Sequence, residues 1–301
     1  MKIGENIKNF SSPAVNGGAA VSSFYSSVAL FDSGIGGLSV LFSCRRRMSE
    51  EKFIYYGDND RAPYGNLPEE VIVRYVLSAA EEISAYAPRL LALACNTATA
   101  CAAKTLRGLF SFPVLGAYPP VLSAGKCGGE GLVLVTRATH QSAAFSALMR
   151  RAESIYPATR FFPYPCDFLA GKVEDTRAAA KDSLYTAELP NRRFSFVVLG
   201  CTHYAHVRKA IETFYACPVY DGSETLSRRI EQTLFARPAL SNAPLPTHGE
   251  RGTDAFVRPA ATTFVPATEK NVSSDGKVLF LGSGAQKNKA FYEHSFVESL
   301  S

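Results

Sequence analysis

The feature that most limits what this chain can fold into is a plan that occurs twice. Leu90–Ala100 reads LLALACNTATA and Phe196–His206 reads FVVLGCTHYAH, with Cys95 and Cys201 standing 201 − 95 = 106 residues apart. In each copy an apolar run ends in a small residue and a Cys, and polar residues then lead into a helix-compatible segment, which is the strand-to-helix corner of an α/β unit. Ligands bind at such corners, where the free N–H groups of the next helix favour an anion and lower a thiol pKa from its ordinary value of about 8.5. Two such corners facing each other would put a thiol on either side of one anionic substrate. A free Cys is also a common small core residue. A core cysteine, however, has no reason to be followed by Asn96-Thr97 in one copy and Thr202-His203-Tyr204 in the other, since those side chains need partners when buried.

At 301 residues, with 47% hydrophobic and 20% charged residues, the chain is long enough for two globular domains. Its net charge of +5 includes one conspicuous basic run, Arg45-Arg46-Arg47, which reads as a solvated helix face; no stacking-aromatic module accompanies it, so nucleic acid is not expected as a partner. The seven cysteines form no CxxC pair, which argues against a disulfide scaffold or zinc ribbon and for a reducing compartment. Cys201, His203 and His206 have an unusual spacing for zinc and no companion ligands, so no metal is expected. Neither a secretion signal nor a membrane span is legible, and the expectation is a cytoplasmic, membrane-free protein.

Residues 1–26 read as a loose N-terminal extension. Strands are expected at Ser27–Phe31, Phe53–Tyr56, Leu90–Ala94, Val114–Gly116, Gly131–Val135, Phe161–Pro165, Phe194–Leu199, Cys217–Tyr220 and Lys277–Leu281. Most are followed by helical spacing, as in doubly wound α/β folds. The first expected strand runs into Asp32-Ser33-Gly34-Ile35-Gly36-Gly37, which is not a dinucleotide fingerprint because that pattern needs glycine at Ser39. Its glycines permit close approach of backbone to a ligand. Pro63 and Gly65 define a turn that would hold the Tyr64 and Gly65 backbone over a site. Tyr118-Pro119-Pro120 reads as a domain crossing, giving a first domain of 27–117 plus 222–301 and a second of 118–221. Within the first, the proline-rich stretch 238–275 reads as a mobile insertion.

Asp32-Ser33-Gly34-Ile35-Gly36-Gly37, Pro63-Tyr64-Gly65, Ala94-Cys95-Asn96-Thr97-Ala98 and Gly200-Cys201-Thr202-His203-Tyr204, in this order, resemble the motifs of the glutamate racemase family, within the aspartate/glutamate racemases. The resemblance spans roughly Ser27 to Phe235 plus the terminal strand. It implies two similar doubly wound α/β domains related by a pseudo-two-fold, with the active site between them. It also implies cofactor-free interconversion of L- and D-glutamate for peptidoglycan synthesis. On it, Cys95 and Cys201 are the catalytic bases, and Asp32, Ser33, Tyr64, Gly65, Asn96, Thr97, Thr202 and His203 bind substrate. Thr139 joins them from the Val135–Thr139 loop. Glu174 is expected to orient His203, although the spacing from Phe168 to Glu174 is one residue longer than in the family.

Elementary chemistry runs in parallel with the resemblance. Taking the α-proton from an amino acid without a cofactor needs a desolvated base, stabilisation of the carbanion and an acid on the opposite face. Asp32 near Cys95, and His203 with Glu174 near Cys201, would adjust the two thiols. The substrate glutamate is then the expected partner, and a homodimer is allowed. Other readings are a two-cysteine racemase acting on aspartate or a hydantoin, or a non-catalytic amino-acid-binding module; chiral analysis of several incubated amino acids separates all three.

Overall fold

The computed structural model describes residues 23–175, 182–235 and 270–300, with 295–300 as backbone only. Among them, ten strands form two sheets. β1 (Val28–Asp32), β2 (Phe53–Gly57), β3 (Leu90–Leu93) and β4 (Val114–Gly116) lead chain order, and β5 (Gly129–Val135), β6 (Thr159–Pro165), β7 (Phe196–Leu199) and β8 (Val219–Asp221) follow. β9 (Lys270–Val272) and β10 (Val278–Leu281) close the set. The sheet orders are β4-β3-β1-β2-β10-β9 and β6-β5-β7-β8. All pairs are parallel except β9 with β10.

Parallel strands covered by helices on both faces have no solvated side, which is why the legible signal was continuous apolar runs. In β1, Val28 and Leu30 enter one core cluster while Ala29 and Phe31 enter another. The first cluster continues from one sheet to the other through Leu132, Leu134, Val197 and Leu199. The expected doubly wound α/β class is therefore observed.

Numbered within each half, the first four strands stand in the order 2-1-3-4 in both sheets. In such an order the chain leaves the first strand on both sides, and the crevice at the carboxyl ends of the first and third strands is where ligands bind. Asp32 ends β1 and Cys95 follows β3; Thr136 follows β5, and Cys201 lies two residues past β7. The chain passes from the first sheet to the second between β4 and β5 and returns after β8. These crossings touch, since a Cβ on Gly222 would lie 3.2 Å from the Tyr118 carbonyl oxygen.

Several expectations need correction. Of the segment 1–26, residues 1–22 lie outside the described residues, but Phe24 is buried and the Ser26 N–H bonds the Tyr86 carbonyl, so the packed chain starts before Ser27. Of 238–275, residues 238–269 lie outside the described residues, but 270–275 form strand β9 and a turn rather than an insertion. The basic run is not a wholly solvated face. Arg45 is buried, bonding Asp275 at 2.6 Å, the Ser49 carbonyl and Tyr292, while Arg46 and Arg47 pair with Glu224. A C-terminal helix, Ala285–Leu300, was not expected at all.

Candidate active site

One wall of the site is built on β1 and β3. Parallel register puts Phe31 opposite Leu93, so Asp32 and the residues after β3 emerge side by side. Cys95 caps the helix Asn96–Leu109, with the Ala98 N–H donating to its sulfur at 3.4 Å and Ser33 Oγ 3.8 Å away. The Asp32 carboxylate is buried and accepts from the Gly34 N–H at 2.9 Å and from Thr202 Oγ1, across the site, at 3.0 Å. Burial pushes the Asp32 carboxyl above its ordinary range, against the opposing charge of His203 and its hydrogen bonds.

The opposite wall is built on β7. Cys201 Sγ lies 3.6 Å from His203 Nδ1, and His203 Nε2 lies 2.7 Å from Glu174 Oε1. Glu174 ends the helix Asp167–Glu174, and its Oε1 also accepts from the Ile35 N–H at 2.8 Å. Burial opposes charge on both partners, but their mutual bond prevails. The Glu174 carboxyl falls to about 2, and His203, aided by its bonds to Cys201 and Glu174, rises well above its ordinary value. At neutral pH this is an imidazolium whose two N–H groups reach toward a carboxylate and a sulfur.

Between the walls, Thr97 Oγ1 lies 2.9 Å from Thr136 Oγ1 and 3.3 Å from Thr139 Oγ1, tying the first half to the second. Asn96, Cys201 and Thr202 line one small cavity with Ser223. Tyr64 is buried and donates to Asp58, while a Cβ on Gly65 would come within 3.0 Å of Thr136. The glycines after Asp32 serve a purpose the sequence did not reveal: they let the His203 and Glu174 side chains, rather than only a ligand, approach the backbone. A Cβ on Gly36 would sit 2.6 Å from His203 Nδ1, and one on Gly34 would sit 1.8 Å from Glu174 Oε1.

All the expected site residues thus gather at the facing carboxyl ends, including Thr139 and Glu174. Glu174 is the last residue of the helix Asp167–Glu174, which carries the whole stretch from Phe168 onward. The expected state of the Cys95 thiol is corrected, because both thiols are covered, Cys95 being 3% and Cys201 5% exposed. Burial, then the charges of Asp32 and Cys201, push the Cys95 thiol up, outweighing the hydrogen bond from the helix start that was expected to lower it. Sequence reasoning missed Asp58 and Lys287; it met Thr136 only as part of the Val135–Thr139 loop, behind Thr139, and His206 only as a rejected metal ligand. Lys287 Nζ lies 3.0 Å from Glu174 Oε2, and His206 Nε2 donates to the Gly36 carbonyl at 3.2 Å. Burial and the charge of His203 lower His206 to about 4, so it is neutral there. Among the described residues, no group of three His, Cys, Asp or Glu side chains could hold a metal ion, and no helix is long and apolar enough to cross a membrane.

The chain is similar to known proteins of one family. Residues 45–229 match the model of the Asp/Glu/Hydantoin racemase family. Over 226 residues the chain is 32% identical to a glutamate racemase of Clostridium kluyveri, covering 71% of this chain and 86% of that protein. Among solved structures, it resembles glutamate racemase isoform RacE1 from Bacillus anthracis, with a TM-score of 0.61, 25% identity, and 72% and 84% of the two chains covered. It resembles equally, with a TM-score of 0.61 and 25% identity over 70% of this chain and 82% of the other, the Escherichia coli glutamate racemase in complex with L-glutamate and the activator UDP-MurNAc-Ala.

Proposed function

Because the chain belongs to the Asp/Glu/hydantoin racemase family, we propose that it is an isomerase that interconverts L- and D-glutamate, with Cys95 and Cys201 handling the Cα proton on opposite faces. The observation that carries this is the placement of the two cysteines just past equivalent strands of two sheets with the same strand order. One sulfur, as thiolate, takes the Cα proton; the other thiol gives its own proton to the opposite face, and the configuration inverts. Each turnover leaves the protons exchanged between the two sulfurs, so the reverse reaction uses the same groups. His203 is placed to give a proton to Cys201 or take one from it, with Glu174 holding the imidazolium. Asp32 and Ser33 flank Cys95, and the Thr97, Thr136 and Thr139 hydroxyls, with the Asn96 and Thr202 side chains, supply donors for the carboxylates of the substrate. Since both thiols are covered, entry of glutamate requires the two walls to part.

This reading makes the protein a supplier of D-glutamate for peptidoglycan, working in the cytoplasm on a small-molecule substrate; whether it works as a homodimer is read by sedimentation. The test is racemisation in deuterated water, starting from L-glutamate. First-formed D-glutamate should carry deuterium at Cα while unreacted L-glutamate stays nearly unlabelled, because the new proton comes from a sulfur already exchanged with solvent. Protium kept in early product would mean one base serving both faces and would sink the assignment. Aspartate and hydantoins run beside glutamate decide the substrate.

A further inference from the structure

The C-terminal helix reaches the active site at a point that two-base chemistry does not require. Lys287 Nζ bonds Glu174 Oε2 at 3.0 Å and the Glu174 carbonyl at 3.1 Å. One turn further, Phe291 packs edge-on against His206, ring centroids 5.3 Å apart, and His206 in turn holds the Ile35 and Gly36 carbonyls. Lys287 and Phe291 share a helix face because they are four residues apart. That face therefore lies along the outside of the His203–Glu174 pair. Glu174 divides its oxygens between two cations, His203 on Oε1 and Lys287 on Oε2.

We propose that Lys287 is a positioning residue for racemisation: by holding one oxygen of Glu174 it fixes the other on His203 and shares the carboxylate charge that His203 would otherwise have to itself. This rests on the proposed two-cysteine reaction. A carboxylate facing His203 alone would bind its proton more tightly, and a proton held too tightly is poorly delivered to Cys201. The other groups facing this pair are Cys201, Asp32, Tyr55 and the neutral His206. None of these is a second fixed cation. Lys287 also bonds the last carbonyl of the helix Asp167–Glu174, which is a helix-capping role, so the test must separate charge sharing from capping.

The discriminating measurement is the ring titration of His203 by NMR, assigned with His203→Gln, in the full chain and in Lys287→Met, Lys287→Gln and Lys287→Arg. Losing the cation should move the His203 midpoint up by about half a pH unit in both the Met and Gln variants, while Arg restores it. The basic limb of kcat/KM should move by the same amount. Glutamate racemisation has an equilibrium constant of one, so kcat/KM must fall equally in both directions; the ratio of the two kcat values should change, because only the Cys201 side is affected. An unmoved or lowered His203 midpoint, or a shift in Lys287→Met that Lys287→Gln does not share, would reduce Lys287 to a helix cap and overturn the proposal. The ring titration needs no turnover, so failure of the parent chain to racemise glutamate would refute the proposed reaction while the titration still decides the role of Lys287.

Discussion

Replacing Glu174 with glutamine tests the His203–Glu174 pair most directly, since the amide keeps the shape and removes the charge. The carboxyl drops from its ordinary 4.5 to about 2 in the folded protein, held down against burial by His203, the Ile35 N–H and Lys287. At 1.36 kcal/mol per pH unit, that corresponds to about 3 kcal/mol of stability. A carboxyl whose pKa is depressed by folding contributes fully above its unfolded value and loses that contribution as pH falls through its folded value. Hence the gap between the parent chain and Glu174→Gln should be about 3 kcal/mol at pH 7, about half that at pH 3, and close to nothing by pH 1 to 2. Asp32 is pushed up in part by the Glu174 charge and so contributes to the difference, whereas carboxyls out of reach of Glu174 titrate alike in both proteins and cancel. Guanidinium unfolding at a series of pH values measures it. Turnover should fall about 100-fold, because burial then favours the neutral imidazole beside Cys201. A gap that stays constant from pH 7 to pH 3 would show that the carboxylate charge is not what holds the pair, and the reasoning would fail.

Cys95→Ala and Cys201→Ala should each abolish racemisation while circular dichroism stays native, at a stability cost of about 1 kcal/mol since both sulfurs are buried; near-normal turnover in either would make that cysteine structural. Gly36→Ala should cost about 1–3 kcal/mol and most of the activity, because its methyl group would lie 2.8 Å from the His203 backbone nitrogen, which cannot swing away; unchanged kinetics would mean that the loop moves freely. Arg45→Met should lower the thermal midpoint by about 5 °C, since the buried guanidinium ties Ser49, Asp275 and Tyr292 together and the loss is about 2 kcal/mol. Calorimetry reads it directly, and a midpoint within 1 °C of the parent would contradict it.

The central strands were legible because burial on both faces writes itself as unbroken apolar runs, as in Leu90–Leu93 and Phe196–Leu199. β9 was not, because Lys270-Asn271-Val272 is three residues long, has β10 as its one sheet neighbour among the described residues, and has the composition of a loop. The C-terminal helix escaped for a similar reason, having no clean apolar stripe. At the site, Asp32, Cys95, Cys201 and His203 could be found because each sits beside a strand end. Glu174 could be placed only by family resemblance. Lys287 could not be found, since nothing local links it to a carboxylate 113 positions away. The Cys95 thiol was misread because its corner, taken alone, shows the helix start that lowers its pKa and not the burial and neighbouring charges that raise it.

The two chain crossings lie against each other at Tyr118 and Gly222. Two bodies tied at distant points can only slide past each other, whereas two bodies tied at one place can swing like the covers of a book. Parting the walls about that spine would uncover Cys95 and Cys201 in the same motion, and closing would cover both together. Neither sulfur would then meet bulk water while the other holds the substrate, so the proton leaving one face and the proton arriving at the other would both be shielded for the whole of the inversion.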